Sequence, residues 1–136
     1  MRISRLLEVY GLKVIKTLDR VHGHYICASS EPGVYYLVIK TSRVLKYPRS
    51  NGINYDGPML GIRQSYASYL TMTVNYVAWL LNGELVVANA RDVLRFITAN
   101  NVCVKKGFEV ICHYPLSMTK RVITEPGLMK FMRWGP

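Results

Sequence analysis

Residues 24–41 constrain the fold more than any other stretch. HYICAS (24–29) and VYYLVIKT (34–41) are apolar, β-branched and aromatic runs separated by SEPG, which signals a hairpin. The second run is nearly continuous in apolar character, so both of its faces need cover, as in the central strand of a sheet. KVIKTLD (13–19) alternates as a preceding strand, and ELVVA (84–88) reads as a later one. ISRLLEVY (3–10) forms a short helix, with Ser4 as its cap and Gly11 as its stop. Asn89 and Asp92 open a second helix through 90–101, whose buried face is Val93, Leu94, Ile97 and Phe96. Residues 102–106 and 108–114 form a hairpin around Gly107. The expected architecture is an α/β or α+β domain with a mixed β-sheet flanked by helices. It spans 1–114, and a C-terminal apolar and basic arm follows over 115–136.

Residues 64–82 carry two patterns at once. Gln64, Ser68, Thr71, Asn75 and Asn82 fall on one helical stripe, which only Thr73 breaks. Thr71, Thr73 and Asn75 also alternate as in a strand, and Asn82-Gly83 suits a type I′ turn. The longer helical stripe favours a helix, with Gly83 as its stop.

Between these elements lies Lys40 to Arg63, with five cations against Asp56 and four glycines and prolines after Pro48. That composition reads as a largely irregular loop. Lys40, Arg43, Lys46, Arg49 and Arg63 would neutralise phosphates, and Tyr47 and Tyr55 would stack on bases. Across the whole chain 18 Lys and Arg face 8 Asp and Glu, a formal charge of +10. A small domain this basic seeks polyanions, although the same charge also keeps a protein soluble. Arg91 and Arg95, four residues apart on one helix face, would extend the positive surface, as would Lys105 and Lys106 at the hairpin. The expected partner is DNA or RNA, bound without catalysis.

Other chemistry is sparsely signalled. The eight acids are spread singly, so no local carboxylate pair suggests acid/base work. His22, His24 and Cys27 offer metal-ligand side chains close in sequence, but in an extended segment Cys27 points away from the two histidines. Cys103, Cys112 and His113 sit together on the C-terminal hairpin. No metal and no cofactor is expected. The three cysteines lack CxxC spacing and read as reduced, buried thiols of a cytoplasmic protein. A metal-independent ribonuclease would need His24 or His113 as base and acid, with a Lys or Arg on the phosphorane. The longest apolar runs, 34–39 and 77–81, are too short for a bilayer, so no membrane is expected. The LMKFMRW segment near the end suits an adaptable contact with a second subunit, hence a homodimer or an assembly protein acting through its arm.

The order of elements from 3 to 106 resembles the core of restriction-endonuclease-like nucleases, including archaeal Holliday junction resolvases. The likeness implies a metal site built from an acidic residue, then an acid-x-Lys triplet. The triplet falls at Val38-Ile39-Lys40, with valine where the acid belongs, and Asp19, Glu31 or Glu8 would supply the other carboxylates. Valine offers no oxygen ligand, so the likeness implies a degenerate site that binds without cutting. The Tyr-, Val- and Arg-rich composition is similar to that of small proteins from archaeal thermophiles and their viruses, which would place a viral member in the host cytoplasm.

Overall fold

The computed structural model of the chain describes residues 3–41, 45–46, 57–125 and 128–133. Its helices are α1 (Ile3–Val9), α2 (Ala67–Met72) and α3 (Ala90–Ala99). Its strands are β1 (Lys13–Asp19), β2 (His24–Ala28), β3 (Tyr35–Thr41), β4 (Leu45–Lys46), β5 (Pro58–Arg63), β6 (Tyr76–Leu81), β7 (Glu84–Asn89), β8 (Cys103–Lys106), β9 (Glu109–Pro115), β10 (Lys120–Glu125) and β11 (Leu128–Arg133). They form a seven-stranded sheet, β1-β2-β3-β6-β7-β10-β11, and a four-stranded sheet, β4-β5-β9-β8. The larger sheet is mixed because β3 and β6 run parallel while its other neighbours are antiparallel. This is a single α+β domain.

The apolar run at 35–41 is central, as its composition requires. Leu37 and Ile39 join a core shared with the second sheet, α2 and α3, whereas Tyr36 and Val38 face a second core closed by α1. The same division continues along β6, where Val77, Trp79 and Leu81 face one core and Ala78 and Leu80 the other. Trp79 is fully buried, lies parallel to Tyr114 at 5.9 Å, and donates from Nε1 to the Gly61 carbonyl at 2.9 Å. That bond ties the smaller sheet to the larger one. The α3 N-terminus is capped by Asn89 Oδ1, which accepts from the Arg91 and Asp92 amides.

Two expectations are corrected. Residues 64–82 are not one helix: a 3-10 turn at Gln64–Tyr66 and the short α2 precede β6, which pairs with both β3 and β7. The Tyr-, Val- and Trp-rich half follows its strand propensity because two neighbouring strands supply its hydrogen bonds. The cysteines are not all reduced either. Cys103 and Cys112 are opposite residues of the β8–β9 ladder, with Cα atoms 3.9 Å apart, and they form a disulfide. Cys27 is a buried free thiol, and burial pushes its pKa up to about 12, which makes it inert.

The segment after Pro115 runs back along the larger sheet. Lys120 and Arg121 pair with Val87 and Val86, and Val122 enters the α1-side core. Among the described residues no helix is long and apolar enough to cross a membrane.

Candidate nucleic-acid interface

One cleft gathers both described ends of the basic segment. β1 stops at Asp19, the chain turns, and β2 starts at His24. The turn is fixed by three bonds: Gly23 N–H to the Asp19 carbonyl at 2.9 Å, His22 N–H to Asp19 Oδ1 at 3.0 Å, and Lys40 N–H to the Gly23 carbonyl at 2.8 Å. Gly23 adopts φ +76°, and a Cβ there would lie 2.7 Å from Lys40 Cβ. Glycine is therefore required both for the backbone and for the close approach of Lys40. The result is a His-Gly-His turn clamped against the last residues of β3.

Arg63, at the end of β5, faces this turn. Its Nη2 donates to Asp19 Oδ2 at 2.6 Å, its Nε pairs with Glu109 Oε2 at 2.9 Å, and its Nη1 donates to the Tyr66 hydroxyl at 3.2 Å. The guanidinium thus joins the first hairpin of one sheet to β9 of the other. Asp19 Oδ2 also accepts from His22 Nδ1 at 2.8 Å, so both donors converge on one oxygen. The backbone N–H and ring of His22, followed by Arg63, hold the Asp19 carboxyl well below the usual carboxylate range.

These bonds also assign the protons. Arginine only donates, so the Tyr66 oxygen accepts from Arg63. The buried Tyr66 O–H then donates to His24 Nδ1, 2.7 Å away, which leaves the ring proton of neutral His24 on Nε2. Burial, followed by the charge of Arg63, lowers the His24 pKa to about 4, so this ring is neutral at pH 7. His22 is arranged the other way. Its Nδ1 faces both the Asp19 carboxylate at 2.8 Å and Arg63 Nη2 at 3.3 Å; the shorter contact, to an atom that only accepts, takes the ring proton and leaves the lone pair on Nε2.

The cleft encloses about 750 Å³, and its walls include His22, His24, Lys40, Arg63, Lys106 and Phe108. Phe108 is fully exposed at the tip of the β8–β9 hairpin, next to Lys105 and Lys106. Arg63 has its charge matched by Asp19 and Glu109. Among the described residues, Lys40 and Lys106 have no carboxylate partner within 4 Å.

The remaining sequence candidates are distributed differently. Arg43, Tyr47, Arg49 and Tyr55 lie outside the described residues. Lys46 falls on β4, where it pairs with Pro58. Arg91 and Arg95 are exposed on α3 and do not line the cleft; Arg95 borders a separate depression of about 510 Å³ with Lys120. The segment expected as an irregular loop ends in the six-residue β5, which pairs with β9 from Met59 through Arg63. His113 is buried and its Nδ1 donates to the Val102 carbonyl at 3.1 Å, which removes it from surface chemistry. Val38 is fully buried, and of Glu8, Asp19 and Glu31 only Asp19 lines the cleft. Among the described residues no group of three or more His, Cys, Asp or Glu is placed to hold a metal ion.

Sequence reasoning passed over Phe108 and the pairing of His22 with Asp19. An aromatic beside Gly107 in a hairpin turn, and a histidine three residues after an aspartate, were the available signals. Compared with known protein families, curated proteins and solved structures, the chain matches none.

Proposed function

We propose that this protein binds single-stranded nucleic acid along the cleft between its two sheets. The observation that carries the reading is the convergence of Lys40 and Arg63, the two ends of the most basic segment, with Lys106 and the exposed ring of Phe108. Lys40 and Lys106 would neutralise backbone phosphates, together with Arg43, Lys46 and Arg49 of the same segment. Phe108 would carry one stacked base, a contact that tolerates any base identity. Arg63 would act differently, holding the two walls of the cleft together through Asp19 and Glu109.

Fluorescence anisotropy with labelled single- and double-stranded DNA and RNA, across several salt concentrations, tests this reading. Lys40→Ala and Lys106→Ala should each flatten the logarithmic salt slope by about 0.7 on single strands. Phe108→Ala should weaken single-strand binding by about 1–3 kcal/mol with the slope unchanged. Absence of binding at low salt, or full affinity in a Lys40→Ala, Lys106→Ala, Phe108→Ala triple variant, would sink the proposal.

A further inference from the structure

We propose that the His22-Gly23-His24 turn and Lys40 form a site that cleaves RNA by transesterification, leaving a 2′,3′-cyclic phosphate and a 5′-hydroxyl. The inference rests on the binding reading above and adds a reaction to it. Its basis is the pairing of two imidazoles with opposite proton arrangements on one wall of a cleft.

The two ring centroids are 6.0 Å apart and both rings line the cleft with Lys40. Rings this close can both reach the same phosphodiester. Gly23 makes the arrangement possible, because the Lys40 stem lies against it between the histidines. His22 is exposed and presents a basic Nε2 whose opposite nitrogen is held by Asp19 at 2.8 Å. His24 is part-buried and presents an Nε2–H, fixed by the Arg63 to Tyr66 to His24 chain of hydrogen bonds. A ring nitrogen that can accept a proton, on an imidazole held by a carboxylate, and a donor held by a relay are complementary parts of a phosphoryl-transfer site.

The step balances without a co-reactant. The ribose 2′-O–H proton passes to His22 Nε2 while the 2′-oxygen bonds to phosphorus, and Asp19 stabilises the imidazolium. His24 Nε2–H and the Lys40 ammonium meet the charge that builds on the non-bridging oxygens. The bond from phosphorus to the 5′-oxygen breaks, and that oxygen takes a proton from Lys40. The proton on His22 returns through solvent to Lys40, restoring both groups. DNA lacks the attacking hydroxyl, so it binds and survives. His22, His24 and Lys40 are catalytic residues in this scheme, and Asp19, Tyr66 and Arg63 are positioning residues.

The experiment is single-turnover cleavage of a labelled single-stranded RNA by the full chain in excess EDTA, with product ends identified by mass spectrometry. Binding of the all-2′-deoxy analogue is measured in parallel. The expected result is a cyclic phosphate end and a rate that falls at least about 100-fold in His22→Ala, while the deoxy analogue binds as before. His22 is exposed, so this variant should keep its fold, and circular dichroism checks that it does. Asp19→Asn, as a positioning change, should lower kcat while KM holds. Tight binding of the deoxy analogue with no cleavage of RNA overturns the catalytic proposal and leaves the binding reading intact. Failure of both oligonucleotides to bind overturns both. Cleavage that persists in His22→Ala, or that EDTA abolishes, overturns the assignment of this site.

Discussion

Trp79→Phe should loosen the whole junction between the two sheets, and its cost can be built from the structure. The indole is fully buried and its Nε1 donates to the Gly61 carbonyl at 2.9 Å. Phenylalanine keeps an aromatic face for Tyr114 but has no N–H. Losing the bond and leaving its acceptor short of a donor costs about 1–2 kcal/mol. The smaller ring leaves a gap of roughly 40 Å³, which adds about 1 kcal/mol at the usual cavity coefficient. The sum of about 2–3 kcal/mol should lower Tm by about 7–10 °C for a domain of this size. Urea denaturation followed by circular dichroism measures the first quantity and a thermal scan the second. Gly61 lies two residues before Arg63, so the histidine resonances of His22 and His24 should also broaden or shift. A variant with an unchanged urea midpoint and unchanged histidine resonances would refute the claim that this bond couples the sheets to the cleft.

Three further outcomes follow from named contacts. The folded pKa of His24, about 4 against an ordinary 6.5, means the unfolded chain binds the extra proton first, so stability present above pH 6.5 is lost as pH falls towards 4. Water at the cleft reduces the full linkage to about 1–2 kcal/mol, and His24→Gln should remove that slope in urea titrations at pH 7 and 4.5; a slope equal to the parent's would contradict the assignment. Arg63→Met, which keeps the apolar stem, should lower the melting temperature by several degrees and raise the Asp19 pKa, read by NMR titration; an unmoved Asp19 would rule out the pairing. Under denaturing, non-reducing conditions a thiol reagent should find only Cys27, and reducing the Cys103–Cys112 bridge should cost about 2–3 kcal/mol; titration of three thiols would exclude the bridge.

The elements legible in the sequence were those whose own residues decide them. β3 is buried on both faces, and its unbroken apolar run says so without reference to any partner. Asn89 caps α3 through local bonds, which sequence spacing also reveals. Residues 64–82 were not legible because their two halves obey different neighbours. Gln64–Met72 covers a sheet face and needs a helical stripe, whereas Tyr76–Leu81 lies between β3 and β7 and needs apolar residues on both sides. A single period cannot describe a segment whose cover changes midway. The disulfide was hidden for a related reason. Nine residues of separation carry no pairing signal until the β8–β9 register places Cys103 opposite Cys112.

The candidate site divides along the same line. Charge is a property of composition, so the cationic segment and its two ends could be named from sequence alone. What each cation does depends on contacts made across the fold. Arg63 and Lys40 look equivalent in the sequence, yet Arg63 meets Asp19 from 44 residues away while Lys40 meets glycine backbone and open cleft. Two carboxylates convert the first into a brace, whereas among the described residues none pairs with the second, which leaves its charge facing the cleft. The histidines differ in the same manner: Asp19 sits three residues before His22, but Tyr66 reaches His24 over a separation of 42. The shortest contact on His22 is local, although Arg63 also approaches it at 3.3 Å, while the contact on His24 is distant. The two ring orientations therefore come together only when the second sheet docks, so perturbing that docking at Trp79 should disturb His24 more than His22. The relative size of their NMR shifts in Trp79→Phe measures that difference, and equal shifts would argue against the relay.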